Sequence, residues 1–126
     1  MKKTLLVLLM VFVLVGWRHK HRESWYQEKW CDGETEVRMV DKTRVDCLTD
    51  THAIEWDWAH RKWYEGVGQA LHYGNLTGKK PGIALIIEKE ERDLIEVEKL
   101  MSVIKKYELP IDVWIADEEK ITKKNP

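Results

Sequence analysis

Apolar and polar residues change their spacing several times along this chain, and each change marks an element. Residues 5–15 are an unbroken apolar run behind Lys2 and Lys3. Over residues 23–31, Trp25, Tyr26, Lys29 and Trp30 recur at helical spacing until Asp32-Gly33 stops the pattern. Residues 34–40 alternate polar and apolar, as a strand does. Asp41-Lys42 reads as a hairpin turn, and residues 43–48 as the second strand, with Arg44 and Asp46 opposite Val45 and Cys47. After a turn at 49–51, residues 52–58 form a third strand. Ala53, Glu55 and Asp57 share one of its faces, and Ile54, Trp56 and Trp58 share the other.

The second half of the chain alternates helix and strand. Residues 59–73 read as a helix closed by Gly74-Asn75. Residues 81–87 (PGIALII) are continuously apolar, as a strand covered on both faces must be. Residues 90–107 carry an apolar stripe of Leu94, Ile95, Val97, Leu100, Met101 and Ile104. Residues 110–116 form the last strand, and 118–126 a polar tail expected to fray. The predicted class is α/β: a strand meander feeding strand-helix-strand units, hence a mixed sheet with helices on both faces.

Composition changes this picture little. The chain has 126 residues, 34% charged and 44% hydrophobic, which suits one globular domain, placed at residues 22–117. A net charge of -1 excludes a broad basic field of the kind that coats nucleic acid, but not a local site. Cys31 and Cys47 match no metal-binding pattern, and two buried free thiols are expected ahead of a disulfide. Residues 1–17 combine a basic start with an apolar stretch too short to span a bilayer. They read as a cleaved signal, a short membrane anchor or an extension outside the domain. The protein is accordingly expected to be exported or membrane-anchored if that segment is a true signal, and cytoplasmic otherwise. The membrane is expected to be met through that segment alone.

Candidate chemistry gathers between Arg44 and Tyr73. Asp46 on the second strand and Glu55 on its antiparallel neighbour fall side by side, with Asp57 two residues further along the Glu55 face. Clustered carboxylates raise one another's pKa, and a divalent cation relieves that cost; an all-oxygen set suits Mg²⁺ or Mn²⁺. At about 100° per residue, Lys62, Gln69 and Tyr73 share one stripe of the following helix. Lys62 can orient a water or stabilise a phosphate there. Plain solvated acids and an interior Gln–Tyr pair are the structural alternatives. For His52, His60 and His72 a surface role is the simpler reading; for Trp56, Trp58 and Trp63 it is packing. Lys79 and Lys80 suit phosphate contact or solubility equally.

The set Asp46, Glu55, Gln69 and Tyr73, in an order of helix, three strands, helix and strand, resembles the PD-(D/E)XK, or restriction-endonuclease-like, nuclease superfamily. The Q-x-x-x-Y of Gln69 and Tyr73 is similar to the helix motif of its RecB-like branch. The resemblance covers residues 23–116 and implies an αβββαβ core with one added helix and strand. It implies Asp46 and Glu55 as metal ligands and catalytic residues, with Asp57 and Glu28 completing the metal site. Gln69, Tyr73 and Arg44 would organise the cleft. Asp57 stands where the motif has lysine, and Lys62 stands where that lysine sits when it has migrated to the next helix. The implied activity is Mg²⁺- or Mn²⁺-dependent hydrolysis of nucleic acid, DNA foremost, by a dimer or with a larger partner protein. The alternative is an inactive module of the same fold that binds a protein or nucleic acid.

Overall fold

The computed structural model describes residues 19–61 and 63–125. The apolar segment at 1–17 and the candidate lysine Lys62 lie outside the described residues. Helix α1 (Glu23–Trp30) leads into β1 (Glu34–Arg38), β2 (Arg44–Leu48) and β3 (His52–Trp58). Helix α2 (Trp63–Thr77), β4 (Lys80–Ile86), α3 (Glu90–Tyr107), β5 (Asp112–Ala116) and β6 (Ile121–Lys124) follow. The strands form one six-stranded mixed sheet in sequence order. β3, β4 and β5 run parallel, while β2 and β6 are antiparallel to their neighbours. The α/β class, the mixed sheet and the helical layers agree with the sequence reading.

Period-2 alternation assigns the two faces. On β4, Ile83 and Leu85 join Trp63, Ala70, Val97, Leu100 and Ile104 in the core under α2 and α3. Ala84 and Ile86 point the other way, to Tyr26, Trp56 and Trp58 beneath α1. β4 is therefore covered on both sides, as its unbroken apolar sequence requires. Among the described residues no helix is long and apolar enough to cross a membrane.

Four expectations are corrected. Helix α2 begins at Trp63 rather than Ala59, because residues 59–61 are held in a turn: the Ala59 N–H donates to Ile86 O at 3.0 Å and the Arg61 N–H to Trp58 O at 3.0 Å. Gly74 does not close the helix. A Cβ there would come within 2.5 Å of Pro81 Cγ, so the glycine serves close approach of helix to strand. Gly78, at φ 68°, is the left-handed stop. The tail does not fray: Asp117 accepts the Glu119 and Lys120 N–H groups at 2.7 and 2.8 Å, and this turn folds β6 back onto β5. Finally, Cys31 and Cys47 form a disulfide that ties the end of α1 to β2. The spacing of two cysteines does not reveal that a helix end and a strand meet.

Candidate active site

The β1–β2 connection fixes what faces what. A turn made only of Asp41-Lys42 would set Glu36 opposite Cys47. Instead Met39 and Thr43 close the loop, with the Met39 N–H on Thr43 O at 2.8 Å and Lys42 in the left-handed region at φ 72°. This longer turn shifts the pairing by one residue. Thr35 faces Cys47 and Val37 faces Val45, so Glu36 lies opposite Asp46. Cys47 faces Ile54 and Leu48 faces Ala53, so the same register carries Asp46 to Glu55. Glu36, Asp46 and Glu55 thus form one row of carboxyl groups across three strands.

The backbone ladder is interrupted along that row. Glu36 takes φ 54° and pairs with nothing on β2, although residues on either side of it do. For a non-glycine residue that region costs roughly 1–3 kcal/mol and tends to persist at working sites. On the other side, side chains replace peptide groups: the Trp56 N–H donates to Asp46 Oδ2 at 2.9 Å, and the Asp46 N–H reaches Glu55 Oε1 at 3.5 Å.

Electrostatics follow from burial and like charge. Glu55 is 5% exposed. Desolvation, then the neighbouring Asp46 charge, pushes its carboxyl up to about 9. Burial also raises Asp46, against the opposing Trp56 N–H. Asp57 is raised by burial too, with the Trp58 N–H at 2.7 Å opposing. Glu23, on the first turn of α1, rises to about 7, through burial and then the Asp46 and Asp57 charges. Gln27 Nε2 donates to Glu23 Oε1 at 3.0 Å and fixes its position.

The acid that α1 contributes is therefore Glu23, not Glu28. Glu28 is exposed and lies about 140° round the helix from Glu23. Tyr73 is buried against Val45 and Ala53, its hydroxyl near Thr43 and the Arg44 backbone. Gln69 is exposed on the same helix. Arg44 is exposed and meets Glu36 at 3.5 Å, at the rim of the row. Asp46, Glu55, Asp57 and Tyr73 are thus brought into one neighbourhood, with Arg44 at its edge. Glu23, Gln27 and Glu36 were missed by sequence reasoning. The alternation of β1 carried the signal for Glu36, and the wrong turn length hid it.

The donor set is all oxygen. Mg²⁺ uses one or two carboxylates and completes its shell with water and phosphate oxygens, which Asp46 and Glu55 can satisfy. Compared with protein-family models, with curated proteins and with solved structures, the chain matches none of them.

Proposed function

We propose that the protein is a phosphodiester-hydrolysing nuclease of the restriction-endonuclease-like type, acting on DNA or RNA with Mg²⁺ or Mn²⁺. The observation that carries this reading is the carboxyl row Glu36–Asp46–Glu55, set across strands whose ladder is opened to admit it. The order αβββαβ followed by a further helix and two strands is consistent with that fold. Asp46 and Glu55 would hold the cation, with Glu23, Glu36 and Asp57 around them. When bound, such a cation lowers the pKa of a water and offsets charge on the phosphate. Glu23, within the field of Asp46 and Asp57, would accept the proton of the attacking water. Gln69 lies open to substrate, and Arg44 can meet the phosphate backbone.

Asp57 in the place of the motif lysine favours a second reading, cation-dependent binding of nucleic acid without cleavage. One experiment separates the two. The full chain is incubated with labelled duplex and single strands in Mn²⁺, and binding and product are followed together. Cleavage that falls at least a hundredfold in Asp46→Ala and Glu55→Gln supports the nuclease. Binding that needs Mn²⁺ and Asp46, without product, supports the binding module. Neither binding nor cleavage refutes both. Lys62→Ala then reports whether that lysine assists.

A further inference from the structure

A second, chemically different group of ligands lies at the carboxyl ends of β3 and β4. His19 precedes α1, His60 follows β3 and Glu88 follows β4. One ligand atom from each lies within 4.8 Å of the others, and among the described residues this is the one His/Cys/Asp/Glu trio so placed. We propose that His19, His60 and Glu88 bind a borderline divalent transition cation, Zn²⁺ foremost. That cation would clamp the chain entering the domain to the end of the sheet.

The rings are already held in place. His19 stacks on Trp58 with centroids 3.9 Å apart and planes 12° from parallel. Its Nδ1 meets Glu88 Oε1 at 2.5 Å. The His19 and His60 rings lie 5.6 Å apart. Two imidazoles and a carboxylate leave one position of a tetrahedral zinc site for water. Zn–ligand bonds of about 2.0–2.2 Å place ligand atoms roughly 3.3–3.6 Å apart. The site therefore needs His19 and Glu88 to separate by about 1 Å, and the proton they share to leave to solvent.

Ligand type separates this site from the carboxyl row: imidazole suits zinc, whereas carboxylate oxygens suit magnesium. Burial and then the charge of Arg92 lower the pKa of His60, which favours the neutral ring that a ligand must present. Arg92 also opposes a cation there by its own charge. Its Nη2 donates to His60 Nδ1 at 2.9 Å, while its Nε stays on Asp93 Oδ1 at 2.7 Å. With neutral imidazoles, the charges of Glu88, Asp93 and Arg92 sum to -1, which favours a dication.

The test is titration of Zn²⁺ into the full chain in excess Mg²⁺, with Co²⁺ absorption as a second readout of tetrahedral coordination. We expect one equivalent bound. Affinity should fall at least tenfold in His60→Ala and Glu88→Gln. It should be unchanged in His21→Ala, since His21 stacks on Trp25 and pairs with Glu118 at 2.7 Å instead. It should also be unchanged in Asp46→Ala/Glu55→Ala, so failure of this site and failure of the nuclease reading remain distinct. Arg92→Gln should tighten binding at least threefold. A misfolded variant cannot produce such a gain, so the test stays decisive even if His60→Ala is unstable. Equal binding by the parent and His60→Ala, dependence on Asp46 and Glu55, or no gain in Arg92→Gln overturns the assignment.

Discussion

Asp93, at the start of α3, is fully covered, and Glu55, in the middle of β3, is 5% exposed. Their surroundings push these two buried carboxyls in opposite directions. Asp93 accepts the Glu88 and Lys89 N–H groups at 2.8 and 2.9 Å and the Arg92 Nε–H at 2.7 Å. Burial opposes its charge, yet these donors outweigh it and hold the carboxyl below its ordinary range. Burial first, then the Asp46 charge and the field of Glu23, push Glu55 up to about 9. Burial alone therefore does not mark a working acid. The chain supplies Asp93 with every partner it needs, whereas Glu55 sits among groups of its own sign. The first braces the start of a helix, and the second is the kind of acid that the proposed cation would relieve.

The largest expected effect breaks the first half of that comparison. Asp93→Ala leaves two N–H groups and a guanidinium without their acceptor. It should cost about 3–5 kcal/mol in urea unfolding, the range for removing one partner of a buried ionic group. Asp46→Ala, measured without divalent cation, should cost clearly less, because it removes repulsion along with one hydrogen bond. Equal costs would erase the distinction between a satisfied acid and a strained one.

A pH series sharpens the second half. The folded pKa of Glu55 lies above its ordinary 4.5, so the folded state keeps a proton that the unfolded chain releases. That contribution is complete below about pH 4.5 and is lost as pH climbs toward about 9. Glu55→Gln stays neutral and escapes the loss. In chelator, the stability of Glu55→Gln relative to the parent should therefore grow between about pH 5 and pH 9. The gain should be at least the roughly 1.4 kcal/mol that one pKa unit represents. Asp93 works in another window, since a depressed carboxyl loses its contribution only as pH falls below the ordinary 3.8. A flat difference between Glu55→Gln and parent would mean that Glu55 is not held neutral. Mn²⁺ should remove the slope in the parent, because it stabilises the ionised form.

The same contrast explains what could be read from the chain. The elements up to β5 were legible because β1 to β3 alternate and β4 is continuously apolar, whereas polar β6 shows neither pattern. Asp46, Glu55 and Asp57 were legible as acids on neighbouring strands. Register was not, because it depends on whether the hairpin closes at Asp41-Lys42 or at Met39 and Thr43, and a one-residue slip turns Glu36 away from the row. Glu23 was missed in favour of Glu28 because the turn of a short helix relative to the sheet is set by how Tyr26 packs on Trp58. The start of α3 and the residues before it carry several acids, Glu88, Glu90, Glu91 and Asp93. Nothing local says that Asp93 alone among those charges folds back over Glu88 and Lys89.

Tyr73 offers the smallest and finest test, because it touches both sides of the comparison. Its ring packs on Val45 and Ala53, as a structural residue would, and its hydroxyl lies within the field of Glu55 and Asp46. Tyr73→Phe keeps the ring and should cost only about 1 kcal/mol, the net worth of one hydrogen bond. Where that energy resides is decided by a double-mutant cycle with Glu55→Gln. The hydroxyl lies near Thr43 and the Arg44 backbone, at the end of the hairpin that sets the register. If it serves only that hairpin, the two substitutions should add within roughly 0.5 kcal/mol. A larger coupling would place the phenol among the acids, as part of the site rather than its support. Repeating the cycle in Mn²⁺ separates these roles further: a supporting hydroxyl keeps its value when the cation binds, whereas one bonded into the row changes it.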